Sequence, residues 1–420
     1  MARNGPRPQH TVIVGAGVIG ICCAYYLLRR GQRVTVIEAR EIAGAASKGN
    51  AGSIAPGHEP INRPGQIWQA FKWMFSSTSP LYIASRPDIA LARWLWSFHR
   101  HCRHEFCDES MRLLGPMGHR SAQLYDEITE TENLDCNYQK GGYYSIFRTR
   151  KGLDGAKRQA EVIAELGYAP EILSGHAVRD REPALAEDVI GAVRYPESSW
   201  CDPQRFVLQL AERVVQLGGV IRDHTPVRAL AVEQGRVRGV HTATDTAEAD
   251  TVLLATGAET PRLLAGTGYR LPLQPAKGYH RQYTGGSGVP KLNLPCVLGE
   301  AYVFCTPIGD ALRLAGTLEF SGFNLEMRTE RLEQLSRAAQ AYFREVDLPA
   351  PTSQWCGQRP CLPDGLPAIG WVPGFQGLAI ATGHAMMGLT LGPVTGELVA
   401  QLLLDGATQL DLSLVRPDRF

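Results

Sequence analysis

The chain has no long apolar run. Nowhere in the sequence do about 18 consecutive apolar residues occur, roughly the length a membrane-spanning helix needs. The first ten residues are polar and contain proline, without the apolar core of a signal peptide. A cytoplasmic protein is therefore expected, or at most one attached peripherally to the inner face of the cell membrane. An excess of either charge is missing too, with 43 Lys and Arg against 42 Asp and Glu and a net charge of +1. No nucleic-acid footprint follows from that balance, and small molecules are the natural partners. The ten cysteines are scattered and none forms a C-x-x-C pair, so no zinc or iron–sulfur framework is expected and a reducing compartment fits. Internal repeats and low-complexity segments are absent as well.

What is present is length, 420 residues, comfortable for two domains, and a glycine-bearing unit at the start. Thr11 to Val14 form an apolar strand that runs into Gly15, Gly17 and Gly20. A helical stretch follows, and the next strand, Val34 to Ile37, ends in Glu38. This is the pattern of a dinucleotide-binding β-α-β unit. Gly15 makes the tight turn, Gly17 lets the backbone approach a pyrophosphate, and Gly20 lets the helix lie on the strand. The pyrophosphate then sits on the helix N-terminus. Glu38 is placed to accept hydrogen bonds from a ribose diol, which disfavours NADP and leaves FAD or NAD.

From Ala39 to His58 the chain is rich in Gly, Ala and Ser. Small side chains there suit backbone pressed against a flat ligand, with Ser47 and Asn50 as hydrogen-bonding groups; a flexible linker is the alternative. Between Ile67 and Cys107 aromatic residues (Trp68, Phe71, Trp73, Phe75, Trp94, Trp96, Phe98) mix with Lys72, Arg86, Arg93, Arg100 and Arg103. Such a belt suits a membrane surface or a partner subunit, or else helices packed on the chain's own second domain. His101, His104 and Cys107 could share a helical face, but the intervening arginines repel a cation and no fourth ligand is evident, so no metal is expected.

Further on, helices are expected over 113–134, 156–166 and 206–217, and a hairpin over 227–240 turning at Gln234-Gly235. Thr251 to Leu254 read as a buried parallel strand ending in Ala255, Thr256 and Gly257, which should approach the same nucleotide as Gly15, since ligands sit beyond the carboxyl ends of strands in open α/β sheets. Residues 277–283, 301–305 and 312–316 alternate with turns as strands of an antiparallel sheet. The last stretch holds Arg359, Asp364, a strand over 378–382, a second glycine-rich turn and a helix from about Pro393. A chain that opens on a nucleotide site and returns to another glycine-rich helix entrance is closing around a long ligand, and FAD has that length.

These signals resemble the FAD-dependent amine and amino-acid oxidoreductases of the D-amino acid oxidase superfamily, which includes glycine oxidase and sarcosine oxidase. The likeness to bacterial D-amino acid dehydrogenases is carried by Gly49-Asn-Ala-Gly-Ser-Ile-Ala-Pro-Gly57, by the run from Gly357 to Gly370 and by the run from Gly383 to Gly396. It spans nearly the whole chain. It implies an α/β fold with an α+β second domain: a discontinuous Rossmann-like FAD-binding domain over 10–57, 190–270 and 355–420, and a substrate domain with an antiparallel sheet over 58–189 and 271–354. It also implies cofactor contacts along Ala16, Val18, Ile19 and Ala39, along Ala51 and Gly52, at Val227, and at Gly383, Met387, Gly388, Leu389 and Thr390. By position Arg359 would hold a substrate carboxylate with help from Tyr302, and Ser53, Ala55, His58 and His384 would lie near the pocket. A guanidinium fork does match a carboxylate, although Arg359 could instead be an ion-pair partner of Asp364. His58 reads as a polar loop residue more readily than as a base.

The activity implied is oxidation of a D-amino acid by hydride transfer from Cα to flavin N5, with D-proline or a hydroxy-D-proline among the candidate substrates and a quinone or other carrier as electron acceptor. Non-covalent FAD is expected, because neither Cys356 nor Cys361 clearly matches the tethering position of sarcosine oxidases. A glycine- or sarcosine-type oxidase using oxygen is one alternative. A flavin-carrying subunit of a hetero-oligomeric dehydrogenase, docked through 67–107, is another.

Overall fold

The computed structural model describes residues 9–62, 79–84 and 88–420. At its centre lies a six-stranded sheet in the order Val220–Arg222, Arg33–Ile37, His10–Val14, Thr251–Leu254, Leu378–Thr382, Ala368–Trp371. All its pairings are parallel except the last. The middle strands read as continuous Val, Ile and Leu because both faces are covered. Helices Val18–Arg29, Pro203–Gln216 and Gly392–Asp405 share one core cluster on one side. The first and last of these touch closely at Gly396, where a Cβ would lie 2.6 Å from the Cys22 carbonyl oxygen. On the other side sits a small antiparallel sheet, the expected hairpin Ala229–Glu233 and Arg236–His241 extended by Thr246–Glu248. Asp202 fixes the start of the Pro203–Gln216 helix, its side chain accepting from the N–H groups of Gln204 and Arg205.

The second sheet has nine strands. Its path is Ser353–Cys361, Gln274–Thr284, Ala311–Phe320, Val303–Ile308, Cys296–Leu298, Tyr143–Phe147, Gly191–Tyr195, Glu171–Ser174, with Leu81–Ile83 beside Ala311–Phe320. Most pairings are antiparallel. Two are parallel, each joining strands from distant parts of the chain where no hairpin imposes direction. Gly191–Tyr195 and residues 355–361 of Ser353–Cys361, assigned from sequence to nucleotide-binding segments, pair here, beside Tyr143–Phe147 and Gln274–Thr284. Helix Thr329–Tyr342 packs on this sheet's apolar face.

Of the aromatic belt, residues 67–78 and Arg86 lie outside the described residues. Trp94 turns inward, its ring centroid 4.9 Å from that of Phe320 and its Nε1–H donating to the Cys361 carbonyl, while Trp96 is 66% exposed. His101 ends helix Ile89–His101, and a new helix starts at His104. His101, His104 and Cys107 therefore do not share one helical face. No helix among the described residues is long and apolar enough to cross a membrane.

Candidate active site

A cavity of about 1790 Å³ runs from the carboxyl ends of the parallel strands to the second sheet. At its nucleotide end Gly15 has φ +106°, and a Cβ there would lie 2.6 Å from the Ala255 carbonyl oxygen. A Cβ on Gly20 would come within 1.9 Å of the Gly15 oxygen, so the helix rests on the turn itself. That helix has Gly17 as its N-cap, with no side-chain cap and no acid in its first turn. Its positive end is thus turned to the cavity without a neutralising charge of its own. Ser47 Oγ accepts from the Val18 N–H at 3.0 Å. The Glu38 carboxylate accepts from the N–H groups of Ala16, at 2.8 Å, and Arg40, at 3.0 Å. Ala39, Val227, Ala255, Thr256 and Gly257 line the same end, and Thr382 Oγ1 donates to the Gly257 carbonyl, tying two strand ends together.

In the middle, Asn50 Oδ1 accepts from the Gly52 N–H at 2.8 Å, an Asx turn that folds the loop back on itself. The second sheet grips this loop by its carbonyls. His280 Nδ1 lies 3.0 Å from the Gly49 oxygen, and Arg313 Nη1 donates to the Asn50 oxygen at 2.7 Å. Ala55 N–H donates to Thr390 Oγ1 at 3.1 Å, closing the loop onto the C-terminal glycine turn. Tyr125 and Ser121 donate to the carbonyls of Leu389 and Thr390, both at 2.6 Å. Because the peptide is trans, the Thr390 N–H then points away from helix His104–Thr131. His384 is buried, with Nε2 3.0 Å from Thr395 Oγ1. Burial lowers its pKa to about 3, so it is neutral.

Arg359 stands at the far end. Its Nη1 donates to the Thr317 carbonyl at 2.7 Å, and no carboxylate pairs with it among the described residues. Burial pulls its pKa below the usual guanidinium value. Asp364 is taken by Arg419, Nε to Oδ2 at 2.6 Å, which rules out the ion pair that the sequence left open. Tyr302, with φ +54° and 44% exposed, Ser53 and His58 line the same cavity. The His58 ring nitrogen Nδ1 lies 2.7 Å from the Glu59 oxygen.

A long cleft with a glycine cradle and a helix N-terminus at one end and a part-buried cation at the other fits an extended anionic cofactor followed by an acidic substrate. The family model of FAD dependent oxidoreductases, DAO, matches residues 10–402. The chain belongs to that family. Its cofactor is FAD. In fold it is similar to glycine oxidase from Geobacillus kaustophilus, with a TM-score of 0.79 and 23% identity over 99% of this chain and 100% of that one. Glycine oxidase from Bacillus cereus ATCC 14579 gives 0.77 and 22%, over 98% and 99% of the two chains. L-proline dehydrogenase from P. horikoshii gives 0.77 and 20%, over 99% and 98%.

In this FAD-dependent oxidoreductase, Gly15, Gly17, Val18, Ile19, Ser47, Asn50, Ala51, Met387, Gly388, Leu389 and Thr390 all border the cavity, as do Ala55 and His384. Ala16, Gly20, Gly52 and Gly383 stand behind its wall. Gly52 packs on the Cys201 carbonyl, and Gly383 on Leu362. Sequence reasoning missed Trp355, whose indole fits between Gly49 and Gly357; a Cβ on either would lie 2.0 Å from it. Its ring stacks on that of His280, centroids 5.5 Å apart. Gly278, Thr317, His280 and Arg313 were missed as well. The one available signal was a glycine inside the strand read at 277–283, a sign of a bulge or a close approach.

Proposed function

We propose that the protein oxidises the Cα–N bond of an amino acid to an imine, with a preference for D-amino acids, cyclic ones such as D-proline or hydroxy-D-proline included, and that the electrons leave to a quinone or other carrier. One observation carries this reading: a part-buried guanidinium, Arg359, that borders the cavity and lacks a carboxylate partner among the described residues. A cavity-lining fork of this kind is complementary to an α-carboxylate, and charge-assisted bidentate hydrogen bonds fix orientation as well as affinity. Bound FAD supplies the hydride acceptor. The chain's part is positioning: Arg359 and Tyr302 hold the acid group, and the neutral His384 adds no charge that would repel an amine. Support for the D configuration comes from the motif likeness. The fold shared with an L-proline dehydrogenase and with glycine oxidases supports small or cyclic amines as the substrate class. Cys361 is buried and Cys356 Sγ contacts the Leu325 carbonyl at 3.1 Å, which favours flavin held without a covalent tether.

The test is anaerobic bleaching of the bound flavin by a panel of D- and L-amino acids that includes the prolines, with dye reduction then compared against peroxide formation. Arg359→Ala should lower kcat/KM by about 100-fold, the loss of a charge-assisted pair worth roughly 1.5–3 kcal/mol. Unchanged kinetics in that variant would remove the carboxylate anchor from the reading, and bleaching by L-amino acids alone would remove the D preference.

A further inference from the structure

The mixed sheet is irregular at one place, and Arg359 lies on it. Lys277 pairs with Glu319 but Tyr279 pairs with Gly316, so Gly278 faces two residues, Thr317 and Leu318. This is a β-bulge, the device that re-aims a side chain beside an active site. Thr317 has φ +67°, a left-handed backbone that such bulges usually give to glycine and that is rare for a β-branched residue. Its carbonyl is the one that accepts from Arg359 Nη1 at 2.7 Å. Gly278 completes the arrangement from the neighbouring strand. A Cβ there would lie 2.3 Å from Cζ, from Nη1 and from Nη2 alike. Equal distances to three atoms of a planar group mean that the guanidinium lies face-on over the glycine. Gly278 is not among the residues with positive φ, so its lack of a side chain serves space and not backbone conformation. Directly across the strand pair stands Gly357.

We infer that the bulge of Gly278, Thr317 and Leu318 is a seat that sets the plane of the Arg359 fork, which makes Gly278 and Thr317 positioning residues for a substrate carboxylate. The inference rests on the reading of Arg359 given under Proposed function. With the face of the guanidinium flat on Gly278 and Nη1 held by the Thr317 carbonyl, Nε and Nη2 have no other acceptor among the described residues. Those N–H groups remain to meet an acid group in the plane of the fork. A methyl group at position 278 lifts the fork off its seat without touching its charge.

The experiment compares binding of propionate with binding of the uncharged propionamide, followed by the change in flavin absorbance of the holoenzyme. Wild type should prefer the carboxylate. Gly278→Ala should cut that preference by about tenfold or more, as expected when one charge-assisted hydrogen bond is misaligned, while propionamide affinity stays as it was. A purely structural defect would weaken both ligands together. Adding Gly278→Ala to Arg359→Ala should cause no further loss of preference. If Gly278→Ala alone does not fold, the double variant must, since the group it collides with is gone; a double variant that also fails overturns the inference. So does a Gly278→Ala protein that keeps its preference while Arg359→Ala loses it. A wild type that binds both ligands equally would instead sink the carboxylate reading itself.

Discussion

In the parallel sheet the cavity is met by strand ends: backbone N–H groups, glycines and the short side chains of Ala255 and Thr256. In the mixed sheet it is met by strand interiors, with Arg359, Trp355 and Phe304 standing on the pleated surface. The first arrangement depends on local turns, and each turn can be recognised from a few adjacent residues. The second depends on register across strands that are far apart in sequence, such as Ala276 opposite Arg359 and Val297 opposite Ser145. A cofactor common to a large family can be held by the first kind of surface. Discrimination among substrates belongs to the second, where one side chain changes the pocket without disturbing a turn.

The sharpest way to break this contrast is Gly20→Val. Its Cβ would press on a backbone oxygen 1.9 Å away, so the β-α-β unit should lose flavin and soluble expression together. Yellow protein of normal thermal stability would show that the helix does not rest on the turn as described. Arg313→Met probes the link between the two sheets. It leaves the Asn50 carbonyl and Gln282 Oε1 without their buried donor, at a cost of about 2–3 kcal/mol, and it should loosen flavin retention while sparing flavin colour. Denaturant titration with and without added FAD measures both effects. The narrowest effect, confined to acid pH, concerns two histidines. Burial lowers the pKa of His384 to about 3, and burial followed by the Arg313 charge lowers that of His280 to about 4, both from 6.5. The unfolded chain therefore binds these protons first, and stability falls as pH drops below 6.5, a loss that ends only once the folded values are passed. Each histidine contributes at most about 1.4 kcal/mol per pH unit to that slope. His384→Gln should flatten the slope by up to this amount between pH 6 and roughly pH 4, and an unchanged slope would mean that the imidazole is solvated in the native protein.

The same contrast explains what could be read in advance. Gly15, Gly17, Gly20 and Glu38 announce themselves because the pyrophosphate turn is written in contiguous residues, and the helix and second strand around them leave little freedom. Arg359 was visible only inside a long motif, and its partner was not. Asp364, five residues along, was the nearest candidate in sequence, yet the chain turns after Cys361 and gives that acid to Arg419. Gly278 showed only as a glycine inside a strand, and Thr317 could not be found, since a bulge is a mismatch between two strands and neither strand carries it alone. The aromatic segment stayed open between a docking surface and internal packing for a related reason: periodicity cannot say whether Trp94 or Trp96 faces inward, and the packing of Phe320 decides it.

The parallel sheet draws its strands from His10 at one extreme to Thr382 at the other. During synthesis, then, the glycine turn leaves the ribosome hundreds of residues before Leu378–Thr382, the strand that completes one side of Thr251–Leu254. Until that late strand arrives, Val252 to Leu254 present an unpaired apolar edge, a template for wrong pairing. The cavity wall from Met387 to Thr390 follows that same strand, so the flavin cleft is complete only when nearly the whole chain has been made.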